Sequence, residues 1–213
     1  MVRSKTPSGF TLIEVTIVMS ISAALIVIAF VGQAQLRAKF SFSSGLEQTK
    51  SFLLQVQSEA NTTVNTTAGA GTGGKTFFAK AIMFDKSAGN NTSLNVYTLL
   101  KDAAGTITIQ SPSPEYTKTV PNGLMITKLE HPVLPTPTVR AKSCMIYAKI
   151  DSSSQPAGYI IDGCTVANLV TSVYSTPVIT DLLKVTLQDV DDRNDGWITI
   201  KPFDFTIESM VTK

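Results

Sequence analysis

The sequence is short of the residues from which most active sites are built. Its 213 residues include one histidine, two cysteines and one tryptophan. The single histidine, His131 between Glu130 and Pro132, leaves the common zinc ligand sets unfilled, and the C-x19-C spacing of Cys144 and Cys164 is not a zinc pattern. Two cysteines are too few for a disulfide-framework miniprotein, whereas one pair suits an oxidising compartment. No G-x-S-x-G elbow is present, and the letters GAGTGGKT at 69–76 stand between a helical run and a strand-forming one, not between a strand and a helix as a phosphate-binding loop or dinucleotide fingerprint requires. These absences point away from catalysis. The chain is expected to be no enzyme and to need no cofactor.

The front of the chain lacks charge and proline. From Thr6 to Leu36 the only charged residue is Glu14, and no proline occurs from Phe10 to Ala60. Between Glu14 and Arg37 lie 22 uncharged residues, of which Val15 to Val31 are strongly apolar. As a helix rising about 1.5 Å per residue, this run is long enough for a hydrocarbon core of about 30 Å. It exceeds the h-region of about 7–15 residues in an ordinary secretory signal. Ser22-Ala-Ala makes a poor signal-peptidase site because it lies inside the run. Arg3 and Lys5 ahead of it favour an inside N-terminus, an inference weakened by Arg37 and Lys39 beyond it. The net charge of +2 also sits in the first nine residues: without Arg3 and Lys5 the chain has 16 basic and 16 acidic side chains. Net charge therefore gives no support to general nucleic-acid binding.

Glu14 is the anomaly. A carboxylate in the opening turn of such a segment is costly in lipid and needs either a partner or a place at the headgroups, where it could snorkel to water. A short basic leader ends in Gly9, Phe10 follows, and Glu14 lies four residues further on. The stretch GFTLIEVTIVMSI resembles the prepilin N-methylation motif of bacterial type IV pilins and type II secretion pseudopilins. The resemblance covers about residues 1–35. It implies that a prepilin peptidase cuts between Gly9 and Phe10 and methylates the new amine of Phe10. It also implies that Glu14 meets the ammonium of a neighbouring subunit as helices pack into a filament, fixing their axial register because an offset would leave a charge unmatched. The glycine has a chemical rationale, since a missing side chain lets a protease approach the scissile backbone. By the same resemblance the partners are other pilin or pseudopilin subunits, the prepilin peptidase and an inner-membrane assembly platform. The precursor would sit in the cytoplasmic membrane as a single-pass protein with its N-terminus inside, and in an extracytoplasmic filament after assembly. Many pilin helices carry a proline that this one lacks. Gly32 and Gly45 are the expected weak points instead, with a bend near Gly45.

Beyond Gly32 the pattern becomes amphipathic, with Leu46, Leu53, Val56 and Ala60 on one helical face. The expected organisation is a leader at 1–9, a helix at 10–60 that is transmembrane and then amphipathic, a flexible linker at 61–75 and a β-rich domain at 76–213. The linker NTTVNTTAGAGTGG is uncharged and Gly-rich. From Thr76 onward the runs FFAKAIMF, LNVYTLL, TITIQ, LMITKL, CMIYAKI, GYIIDGCTV, LLKVTLQ and WITIKPFDFTI read as strands. DAAG at 102–105 and RNDG at 193–196 are the expected hairpin turns. The fold class is α+β, a long N-terminal helix on an antiparallel β-sheet domain, and it resembles the pilin architecture.

Folding KSCMIYAKI back on GYIIDGCTV about Ser154 sets Cys144 opposite Cys164 and Ile150 opposite Gly158, close enough for a disulfide. DVDDRNDG at 189–196 reads as a solvated hairpin loop. Were it to hold calcium, Asp189, Asp191, Asp192 and Asp195 would be the ligands, although the EF-hand spacing is not met. Residues 116–150 carry Lys118, Lys128, Arg140, Lys142 and Lys149 against Glu130, whereas 181–208 are acidic; ordinary solvated charge is the favoured reading, and two faces of opposite sign that guide subunit contacts are the alternative. The favoured reading is a structural filament subunit, a minor pilin or pseudopilin by its 204 residues after the cut (213 less 9). The alternatives are a tip or DNA-uptake pilin that binds DNA or a surface through Arg140 and Lys142, and an ordinary membrane-anchored exported protein.

Overall fold

In a computed structural model, residues 10–63, 74–131, 138–149, 156–167, 169, 182–191, 193–201 and 206–211 are described. The chain divides into two compact units, Met1–Ser41 and Phe42–Lys213. Helix α1, Leu12–Thr63, runs through the boundary. It outlasts the expected end at residue 60 by three residues. The expected linker falls largely at 64–73, outside the described residues.

Within the first unit α1 is apolar on every side, and its large side chains, from Leu12 at 87% to Val31 at 56%, are exposed. A window of mean hydropathy 2.6 with none of its surface buried makes this helix long and apolar enough to cross a membrane.

In the second unit α1 changes character. Phe42, Leu46, Thr49, Leu53, Val56 and Ala60 are all buried, at alternating spacings of four and three, which is one stripe of a 3.6-residue helix. At Gly45, where a bend was expected, the helix continues without a break. The glycine serves packing instead. A Cβ there would lie 2.9 Å from Leu124 Cδ1 and 3.3 Å from the carbonyl oxygen of Pro121, so the bare backbone lets the helix approach the turn at Pro121–Gly123.

The stripe packs on two antiparallel sheets. The first contains β1 (Thr76–Asp85), β2 (Ser93–Lys101), β3 (Ile107–Ile109), β4 (Tyr116–Thr119), β7 (Lys142–Lys149) and β8 (Pro156–Asp162), in the order β3-β2-β1-β7-β8 with β4 also on β2. The second contains β5 (Met125–His131), β6 (Thr138–Val139), β9 (Leu183–Gln188), β10 (Asp195–Lys201) and β11 (Thr206–Val211), in the order β11-β10-β9-β5-β6. Ile82, Phe84, Val96 and Met145 of the first sheet and Leu129, Val185, Leu187, Ile198 and Ile200 of the second close over the helix stripe as one core. A second core lies on the other face of the first sheet, around Ala81, Tyr97, Leu99, Cys144, Ile146 and Ile161. Burial of both faces explains why the central strand β1 reads as an unalternating apolar run.

The expected DAAG hairpin joins β2 to β3, with Lys101 opposite Ile107. RNDG behaves differently. Asp195 and Gly196 already belong to β10, opposite Gln188 and Leu187, so the turn precedes them. A Cβ on Gly196 would lie 2.6 Å from the Met210 carbonyl oxygen and 3.1 Å from the Phe42 ring, so this glycine, too, serves a close approach. The WITIKPFDFTI run is two strands rather than one.

Buried charge is paired. Lys80, 5% exposed in β1, donates to Thr98 Oγ1 at 2.9 Å and to Glu115, which also accepts from the Thr98 hydroxyl. Desolvation opposes ionisation of Glu115, but the bonds from Lys80 and Thr98 outweigh it and hold the carboxyl below its ordinary value of 4.5. Its contribution to stability is therefore complete above about pH 4.5 and is lost as pH falls through the lower folded value. Glu115→Gln should lower the melting temperature at neutral pH and flatten the decline below pH 4.5, measured by thermal unfolding across pH. An acid limb as steep as that of the unaltered chain would contradict this.

Candidate functional site: the head of the helix

The chemistry of the first unit is concentrated at its first turn. Thr11 is the N-cap of α1: its carbonyl accepts from Val15 N at 3.3 Å, the first helical bond. Glu14, three residues on, accepts from Thr11 N at 2.8 Å and from Thr11 Oγ1 at 2.9 Å, both on Oε2. In return Glu14 N donates to Thr11 Oγ1 at 3.4 Å. This is a capping box, in which a hydroxyl and a carboxylate satisfy each other's backbone donors at an end where no preceding turn exists. The sequence signal was present as T-L-I-E, the [ST]-x-x-E pattern, and Thr11 is the residue that reading Glu14 alone misses. The other carboxylate oxygen, Oε1, has no partner among the described residues.

Phe10 directly precedes the cap and is 86% exposed. Gly9 lies outside the described residues. Behind the capping box, Thr16 Oγ1 donates to the Ile13 carbonyl at 2.9 Å and Ser20 Oγ to the Thr16 carbonyl at 2.8 Å. Two of the three hydroxyls within the apolar run are thus satisfied by their own helix, as a lipid environment favours.

In the second unit the two cysteines form a disulfide, with Cα atoms 5.9 Å apart. The pairing agrees with the expectation, but the register differs. Cys144 lies opposite Ile161, and Gly158 opposite Tyr147, a shift of three residues from the fold-back about Ser154. The reason is burial. The expected register would set Asp162 opposite Ile146, whereas the observed one places Tyr159 opposite Ile146 and Ile161 opposite Cys144, all in the second core. Strand β8 ends at Asp162, Gly163 N donates to the Lys142 carbonyl at 3.0 Å, and Cys164 reaches Cys144 from that turn. Closing this loop stabilises the fold by about 2–4 kcal/mol.

The acidic loop is closed upon itself. Asp189 Oδ1 accepts from Arg193 N at 2.8 Å and Asn194 N at 3.3 Å, and Oδ2 accepts from Asn194 Nδ2 at 2.8 Å. Desolvation opposes its ionisation, but these bonds hold its carboxyl below the usual range. Asp191 faces Arg193 Nε at 3.9 Å, Asp195 begins β10, and Asp192 lies outside the described residues. Among the described residues no three His, Cys, Asp or Glu side chains converge on a metal position.

The two charged stretches meet only in part: Lys128 on β5 neighbours the acidic stretch through β9, whereas Lys118, Lys142 and Lys149 lie on strands of the first sheet. Glu130 Oε1 pairs with Lys128 at 2.6 Å, and its Oε2 lies 4.0 Å from Lys184. Lys142 is held by Asp85 at 2.9 Å. These pairings weaken a continuous cationic surface for DNA through Arg140 and Lys142. His131 is buried, with Nε2 3.1 Å from Ser143 Oγ across the two sheets, a structural link away from solvent.

The prokaryotic N-terminal methylation motif, the type IV pilin and pseudopilin signature, matches residues 5–30. No curated protein and no solved structure matches the chain. The motif covers the leader junction, the capping box and most of the exposed apolar helix. It marks a pilin- or pseudopilin-like precursor, fits anchorage in a membrane and implies other pilin subunits and a prepilin peptidase as partners in general.

Thr11→Val removes the hydroxyl from the capping box while keeping the side chain's size. Amide exchange at Ile13 and Glu14 should speed up by roughly fivefold, measured on the detergent-solubilised chain, with amides beyond Ser20 unchanged. Unchanged exchange at Glu14 would show that the box does not hold the first turn.

Proposed function

We propose, from the signature at its head, that this chain is a non-catalytic structural subunit of a type IV pilus-like or pseudopilus filament, made as a membrane-bound precursor and cut between Gly9 and Phe10. The observation that carries the reading is Glu14. Its carboxylate stands in the first turn of a wholly exposed apolar helix, with Oε2 committed to Thr11 and Oε1 open. The cut creates an ammonium at Phe10. In a bundle of such helices, Glu14 of one copy supplies the anion that the Phe10 ammonium of another needs, and the interaction is strong where water is excluded. The capping box fixes where that anion sits, since two hydrogen bonds orient the carboxylate before a second helix arrives.

The apolar surface supports the same reading. A helix with large hydrophobic side chains on all sides has no core of its own to enter, and needs lipid first and neighbouring helices afterwards. The leader's Arg3 and Lys5 favour retention of the N-terminus on the cytoplasmic side, where the peptidase would act. The Phe42–Lys213 unit, closed by its own core and disulfide, is then the part presented outside the membrane.

Two variants separate processing from assembly in cells that carry a prepilin peptidase and its assembly machinery. Gly9→Val should leave the chain uncut in the membrane fraction. Glu14→Ala should be cut yet disappear from the sheared filament fraction, with at least about a tenfold loss expected for one unmatched buried charge. Wild-type amounts of Glu14→Ala in filaments would defeat the proposal.

A further inference from the structure

Arg37 and Lys39 have no role in the account so far. They are the only charged residues between Glu14 and Glu47. Both are exposed on α1 within the first unit, and neither forms an ion pair among the described residues. Leu36 and Phe40 beside them are 57% and 72% exposed. This is a cationic level without an ion-pair partner among the described residues, at the end of a mainly apolar exposed helix segment.

Helix geometry fixes where that level falls. At about 1.5 Å per residue, Arg37 lies roughly 35 Å along the axis from Glu14, a little more than the hydrocarbon core of about 30 Å. When Glu14 stands at one headgroup layer, Arg37 and Lys39 stand at the other. Residues two apart on a helix point about 200° apart and do not converge on one ligand. The two cations therefore form a collar, each reaching a separate anion. Their aliphatic stems can lie along the Leu36 and Phe40 surface while the charged heads extend outward. Arg also suits bidentate contact with phosphate oxygens.

We propose that Arg37 and Lys39 bind the phosphates of anionic phospholipids in the headgroup layer opposite Glu14 and hold the helix at a fixed depth. The consequence concerns processing. Arg3, Lys5, Arg37 and Lys39 are the only basic residues before Lys50. Loss of the first nine residues removes the pair at one end, and the collar becomes the remaining cationic hold on lipid. Anionic lipid then opposes withdrawal of the helix from the bilayer. The inference rests on the membrane span alone and not on filament assembly, so the uncut chain tests it.

The experiment uses the full chain in uncharged detergent micelles containing equal amounts of phosphatidylcholine and phosphatidylglycerol, with retained lipids counted by native mass spectrometry. The unaltered chain should retain phosphatidylglycerol preferentially. Arg37→Gln with Lys39→Gln should cut that preference by about fivefold for each cation removed. Arg37→Lys should keep most of it, and Lys101→Gln with Lys118→Gln, two exposed lysines of the second unit, should leave it intact. Inorganic phosphate added at constant ionic strength should not displace the lipid. No preference in the unaltered chain, an equal preference in the Arg37/Lys39 double variant, or displacement by phosphate alone would each overturn the proposal. So would loss of the preference whenever two copies associate, because the collar would then be serving the acids of a second chain.

Discussion

The first unit turns on one carboxylate placed where a carboxylate is hardest to keep. Glu14 is the only charged residue of α1 before Arg37, and its carboxylate is held by the backbone and hydroxyl of Thr11. The arrangement answers two needs at once. The first turn of any helix has unsatisfied amide donors, which become more costly in a non-aqueous surrounding. The carboxylate closes part of that deficit and keeps one oxygen in reserve. A leucine at this position would make a better plain anchor and a worse docking point.

The second unit solves a different problem with the same helix. From Phe42 onward one stripe of α1 is buried beneath two antiparallel sheets, and glycines at the tightest points, Gly45 and Gly196, let backbone and ring surfaces come close. The unit holds its buried charge in pairs, Lys80 with Glu115 and Lys142 with Asp85, and ties the turn after β8 to β7 through the disulfide. These contacts all lie within the Phe42–Lys213 unit itself.

Much of this was legible in the sequence because the decisive signals are local. The uncharged run and the Leu46-Leu53-Val56-Ala60 stripe are both read along one continuous helix, although the switch expected after Gly32 begins at Phe42. The strands were legible from β-branched runs, but their assembly was not. β4, YTKT, is polar and at an edge, so it carries no apolar alternation, and the two residues of β6 are too short to show any. The cysteine pairing was legible, whereas its register was not, since the choice depends on which residues the far face of the first sheet buries. The charge blocks share that limit. Glu130 and Lys184, 54 residues apart along the chain, become cross-strand neighbours on β5 and β9, a pairing that depends on the strand order. Thr11 was legible as the head of a T-x-x-E box, the local pattern that places a partner for Glu14 three residues away.

The central claim is that this chain is a precursor whose cut creates the cation Glu14 is placed to meet. The most direct measurement is the N-terminus of the protein recovered from its native membrane, by intact mass and terminal peptide. The account predicts a chain that begins at Phe10 with a methylated amine. A chain that still carries Met1, or one cut beyond Ser22, would contradict it and would leave the Thr11 capping box as the whole explanation of Glu14.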